Sequence, residues 1–285
     1  MKNESGSCGI CRTITPVTLA FLLRGCSHVP VGHSALPEKR PAALKKVVKD
    51  EIVFLSSPEM DHCKPTLLLL HGATDEPAEM IDIVQEWRGR YNVLLYVYNY
   101  HKPLKTIAAH LVGETKALRA KNIPLENMTV ITYSYSAAVF RMAVLIADDP
   151  AIFSDASLIQ LVPTAGGSYL ARWLKNPITA WFVSLASKPS AAENPYGRIA
   201  AKLWDGIGNR KFHEMIQPAR MHTILIEDDP HSLANARDEG VRSRYKNGIG
   251  TNVVVIPKSN GVAHEYFPTH PVALEYLRKV LESIP

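Results

Sequence analysis

Three kinds of side chain able to share a proton stand at the ends of apolar runs, far apart along this chain. In Val130-Ile131-Thr132-Tyr133-Ser134-Tyr135-Ser136-Ala137-Ala138 an apolar run passes directly into a nearly all-apolar helix-like stretch, with Ser134 at the change. A serine on such a tight strand-to-helix turn presents its hydroxyl to substrate, with a neighbouring backbone N–H placed to stabilise an oxyanion. Ser136 is the competing hydroxyl, two residues further from the strand, and either serine also suits a helix N-cap. Near the C-terminus, His264 lies in Asn260-Gly261-Val262-Ala263-His264-Glu265-Tyr266-Phe267, after the last apolar run and before the last helix-like stretch. An imidazole, with an ordinary pKa of about 6.5, can take a serine proton and return it to a leaving group. The plain alternative is a surface-loop histidine. Between the two, Ile224-Leu225-Ile226-Glu227-Asp228-Asp229-Pro230 offers three carboxylates in one turn.

Such groups meet only if a regular scaffold gathers the ends of its strands. Short apolar runs occur at residues 52–55, 66–70, 93–98, 128–132, 158–162, 223–226 and 252–256. Several are apolar throughout, as strands buried on both faces are. Helix-like stretches lie between them at 77–88, 104–120, 136–147, 232–245 and 271–283. Alternation of this kind predicts an α/β domain over 51–285, a mostly parallel central sheet with helices on both faces. In the last helix Leu274, Leu277, Leu281 and Ile284 share one face, Thr269 or His270 can cap it, and Pro271 suits its first turn. Residues 170–217 break the rhythm with Trp173, Trp181, Phe182, Trp204 and several prolines. They read as a helical cap or lid over the strand ends, or else as helices filling an edge of the core.

The segment around Ser134 resembles the G-x-S-x-G nucleophile elbow of the α/β-hydrolase superfamily, with Thr132 and Ser136 where the family prefers glycine. His71-Gly72-Ala73-Thr74 after the run 66–70 looks like the family's HG oxyanion loop, and Gly72 allows close backbone approach. Arg141 sits where lipase-like members often carry arginine, and Pro163-Thr164-Ala165-Gly166-Gly167-Ser168 is similar to a segment of the same members. The resemblance covers about residues 51–285 and resides in the order of oxyanion loop, serine, acid turn and terminal histidine. It implies an α/β-hydrolase fold and a triad of Ser134, Asp229 and His264, with Asp228 and then Glu227 behind Asp229. It implies an oxyanion hole formed by the N–H groups of Ala73 and Tyr135; losing one such donor typically costs about 3 kcal/mol of barrier. The implied activity is esterase- or lipase-like cleavage of a small-molecule or lipid acyl compound, without metal or organic cofactor. An acyltransferase or thioesterase would use the same triad, and a non-catalytic binding module is the alternative of another class.

Composition fits one large domain: 285 residues, 46% hydrophobic and 21% charged, with a formal net charge of +5. Its basic residues gather partly in 38–49 rather than along a helical stripe, which argues against nucleic acid as a partner. Of four cysteines, Cys8, Cys11 and Cys26 precede the domain and Cys63 lies within it, too few for a disulfide framework. Cys8-Gly-Ile-Cys11 lacks the second pair a zinc site needs. Residues 1–13 carry Lys2 and Arg12, and 14–23 form an apolar run suited to a signal peptide but too short to span a bilayer. Leu23-Arg24-Gly25-Cys26 resembles the lipobox of bacterial lipoproteins, with Arg24 the departure from its pattern. That resemblance implies a signal peptide over 1–25, lipidation of Cys26, a tether over 26–50, and anchoring to a membrane of the cell envelope. Plain secretion and a cytosolic protein with a disordered start are the alternatives.

Overall fold

The computed structural model describes residues 50–54, 63–73, 77–100, 102–121, 123, 125–164, 206–229 and 252–284. The signal segment, Cys26, the tether up to residue 49, the expected helix 232–245 and most of the expected cap lie outside the described residues. Asp50 is already part of the fold: its buried carboxylate accepts from the Asn99 N–H at 2.9 Å and from Lys102 Nζ at 2.7 Å.

Among the described residues the sheet has seven strands: β1 Glu51–Phe54, β2 Thr66–Leu70, β3 Asn92–Val97, β4 Thr129–Tyr133, β5 Ser157–Leu161, β6 Met221–Ile226 and β7 Asn252–Ile256. They lie in the order β1-β3-β2-β4-β5-β6-β7, with β1 antiparallel to β3 and every other neighbouring pair parallel. Strands β2 to β5 are buried along their whole length, which is why their sequences show no polar alternation. The edge strand β7 departs from that expectation. Val253 is 37% and Val255 39% exposed, because a strand with a single sheet neighbour among the described residues is covered less completely.

Helices α1 Ile81–Trp87, α2 Leu104–Ala120, α3 Ser136–Ile146, α4 Gly206–Met215 and α5 Pro271–Ser283 flank the sheet. Successive strand residues point to opposite faces and feed two cores. Leu68, Leu70 and Tyr96 pack with Ile107 and Leu111 of α2 and Phe140 of α3. Leu67, Leu69 and Leu95 pack with Ile83 and Trp87 of α1 and Leu277 and Leu281 of α5. A buried leucine of this kind contributes about 2 kcal/mol.

The buried face of α5 is Ala273, Leu277, Val280 and Leu281, while Leu274 and Ile284 are only partly covered at its margin. The apolar stripe is thus rotated from the one that leucine spacing predicts, toward Ala273 and Val280. His270 caps this helix, its Nδ1 accepting from the Val272 N–H at 3.3 Å. Of the expected cap, α4 is described, and its Phe212 lies in the core beneath α3.

The chain leaves β2 for β3 on one side and returns to β4 on the other. The loops after β2 and β4 therefore diverge at the carboxyl ends of adjacent strands, the switch point at which α/β sheets open a crevice.

Candidate active site

Strand β4 ends at Tyr133, and Ser134 turns the chain into α3 with φ of 54°, in the left-handed region. Few non-glycine residues adopt it, and here backbone partners at and just beyond the end of β5 hold it. The Ser134 N–H donates to the Leu161 carbonyl at 2.9 Å, and the Thr164 N–H donates to the Ser134 carbonyl at 3.4 Å. The chain bends likewise after the next two strands, at Val162 with φ of 39° and at Asp228 with φ of 61°.

The Ser134 hydroxyl lies 2.7 Å from Nε2 of His264, and Nδ1 of His264 lies 2.8 Å from Oδ2 of Asp229. A carboxylate can only accept, so Nδ1 carries the proton and Nε2 presents its lone pair to the hydroxyl. Exposure is 7% at Ser134, 9% at His264 and 4% at Asp229, so all three residues are buried. Of the other two carboxylates, Glu227 accepts from the Lys258 N–H at 3.0 Å, and Asp228 lies 3.9 Å from Lys258 Nζ. Asp228 makes the left-handed turn that sends Asp229 inward.

Ala73 leaves the end of β2 and Tyr135 opens α3, so both stand at the rim on the two strands flanking the switch point. The loop of Ala73 is secured through His71, which is wholly buried. Its Nε2 accepts from the Tyr98 N–H at 3.2 Å, its carbonyl accepts from the Tyr98 hydroxyl at 2.6 Å, and the two rings stack at 4.2 Å. Burial lowers the His71 pKa to about 4, outweighing the opposing contributions of the Gly72 and Tyr98 backbone and of the Asp50 charge. Arg141 is buried on α3 with its guanidinium 4.1 Å from the Phe212 ring of α4. Burial lowers its pKa to about 9, which leaves it a cation at neutral pH.

Two side chains next to Ser134 have partners that residue types and spacing do not reveal. The Tyr133 hydroxyl donates to the His264 carbonyl at 2.6 Å, and Ser136 bonds to backbone groups at the ends of β2 and β4. A signal was present for Tyr133, since a tyrosine closing a buried strand needs a partner for its hydroxyl. The identity of that partner depends on folding.

No protein-family model matches the chain, and no curated protein matches it in sequence. Solved structures do match. A Bacillus licheniformis lipase in its mature form superposes with a TM-score of 0.50 at 12% identity, over 81% of this chain and 97% of that one. A carboxylesterase structure from the ammonia-oxidizing thaumarchaeon Nitrososphaera gargenis gives 0.51 at 12% identity, over 81% and 98%. Aspergillus fumigatus lipase B gives 0.51 at 14% identity, over 88% of this chain and 61% of that one. The chain has the α/β-hydrolase fold.

Proposed function

We propose that this protein is a serine hydrolase that cleaves a carboxylic ester or related acyl compound through an acyl-enzyme. The supporting observation is the unbroken contact from the Ser134 hydroxyl through His264 to Asp229 at the carboxyl rim of the sheet. In this reading the Ser134 oxygen attacks the acyl carbon as its proton passes to Nε2 of His264. The new O–C bond forms while the carbonyl π pair moves onto oxygen, where the N–H groups of Ala73 and Tyr135 stabilise it. Collapse breaks the bond to the leaving alkoxide, which takes the proton from Nε2. Water then repeats the sequence on the acyl-enzyme, releasing the acid and restoring the serine. Asp229 holds the imidazole tautomer and stabilises the imidazolium without taking the proton. The named lipases and carboxylesterase of the same fold agree with an acyl substrate.

A fluorophosphonate probe on the purified protein tests this. Labelling is expected in the wild type, absent in Ser134→Ala, and slower but present in Ser136→Ala. Labelling that depends on Ser136 alone would transfer the nucleophile, and an unlabelled wild type would remove the hydrolase reading.

We further propose a location, which rests on sequence motifs near the N-terminus rather than on the site. The apolar run 14–23 followed by Leu23-Arg24-Gly25-Cys26 supports a lipid anchor on Cys26 and a place in the bacterial cell envelope. Several acyl chains on one cysteine anchor stably, whereas a single chain does so only marginally. Metabolic labelling with a fatty acid is expected to require Cys26; labelling that survives Cys26→Ser removes the anchor.

A further inference from the structure

Ser136 stands where the α/β-hydrolase elbow prefers glycine, and the proposed reaction gives its hydroxyl no part. It is wholly buried and reaches backbone groups of two strands. Its Oγ accepts from the Tyr133 N–H at 2.8 Å and lies 2.8 Å from the Leu70 carbonyl and 2.9 Å from the Tyr133 carbonyl. One hydroxyl proton serves one carbonyl at a time, while acceptance from the Tyr133 N–H persists in either case.

The position of those groups gives the contact its meaning. Leu70 is the last residue of β2, paired in register with Thr132, and His71-Gly72-Ala73 departs from it. Tyr133 is the last residue of β4, and Ser134 departs from it. The described pairing of β2 with β4 ends at Leu70 and Thr132, where β4 turns into the elbow. At that level the Ser136 side chain supplies the next rung, joining the strand that leads to Ala73 with the strand that leads to Ser134.

We infer that the Ser136 hydroxyl is a positioning group that pins the end of β2 to the elbow and so sets the Ser134 oxygen in register with the oxyanion donor at Ala73. This rests on the hydrolase reading. An attacking oxygen and an oxyanion donor on separate strands act together only when the strands cannot slide apart, and misplacement by about 1 Å costs roughly a hundredfold in rate. Removing the hydroxyl also leaves a buried N–H and a buried carbonyl without this partner, a loss that falls on the two strand ends. The Tyr133 hydroxyl serves the opposite side of Ser134, where it holds the backbone of His264. Ser136 therefore affects oxyanion stabilisation and leaves the imidazole's own setting alone.

The test uses the full-length protein, hydrolysis of p-nitrophenyl acetate across pH, and binding of phenylboronic acid, which forms a tetrahedral adduct with an active serine. In Ser136→Ala, with folding confirmed by circular dichroism, kcat is expected to fall about tenfold to a hundredfold. Boronic acid affinity is expected to fall in parallel, and the acid limb of the kcat/KM profile to stay in place. A merely structural role would lower the melting temperature without moving the affinity of the folded protein for the tetrahedral adduct. Folded Ser136→Ala with kcat and boronate affinity within about twofold of wild type overturns the inference. So does a loss of kcat with boronate affinity unchanged. Should Ser136→Ala fail to fold, Ser136→Cys keeps the shape with a weaker donor and is expected to lose part of both quantities; full activity in it overturns the inference. A wild type that binds neither fluorophosphonate nor boronic acid removes the hydrolase reading and this inference together, whereas an active wild type with an unaffected variant removes the inference alone.

Discussion

Asp229, rather than either acidic neighbour, reaches the imidazole because Asp228 takes the left-handed turn and Glu227 is spent on the Lys258 N–H. Replacing Asp229 by asparagine, which favours the wrong imidazole tautomer, is expected to lower kcat for ester hydrolysis by about 10³ to 10⁴. Asp228→Asn, in a conformation asparagine tolerates, should change it by less than about threefold. His71 makes a different prediction. Its pKa of about 4 in the fold lies below the ordinary value of 6.5, so between these values the unfolded chain binds a proton that the native chain does not. Stability therefore rises with pH across that window and is lost as pH falls through it, by about 3 kcal/mol in all. Urea unfolding at several pH values should show this slope in the wild type and a shallower one in His71→Gln.

Helix α5 shows how packing chooses among faces that spacing leaves open. Leu277, with no exposed surface, should cost about 2–5 kcal/mol when replaced by alanine, measured by urea unfolding. Leu274→Ala, at the margin, should cost about 1 kcal/mol. Comparable losses at the two positions would contradict the observed orientation of the helix. Strands β2 to β5 were legible because burial on both faces leaves an uninterrupted apolar run, and α2 because its period is long and Pro103 precedes it. The placing of serine, acid and histidine at one rim was legible from their order among those elements. What Ser136 and Tyr133 touch was not, because Ser136 meets Leu70 across 66 positions and Tyr133 meets His264 across 131. The resemblance ranks Asp229 ahead of Asp228 and Glu227, but the Asp228 turn and the Glu227 contact with Lys258 that make this choice in the fold are not encoded in composition. The exposure of β7 depends on its place at the edge, which a run of valines does not reveal.

At the scale of the whole molecule, the two cores formed by the described residues share one sheet, so loosening of either is expected to reach the other. A cavity at Leu111, on the α2 face, is expected to reduce native-state hydrogen-exchange protection in β4 and in α5 on the opposite face by the same free energy. Protection lost on one face only would mean that the layers open separately. The sheet also has an uneven distribution of ease. Three adjacent strands finish in left-handed residues at Ser134, Val162 and Asp228, and for a β-branched valine that conformation costs on the order of 1–3 kcal/mol. Heat-resistant descendants of this protein should therefore accumulate changes that relax this margin, and the same changes would blunt its chemistry. Endurance and turnover would pull on the same few peptide bonds in opposite directions.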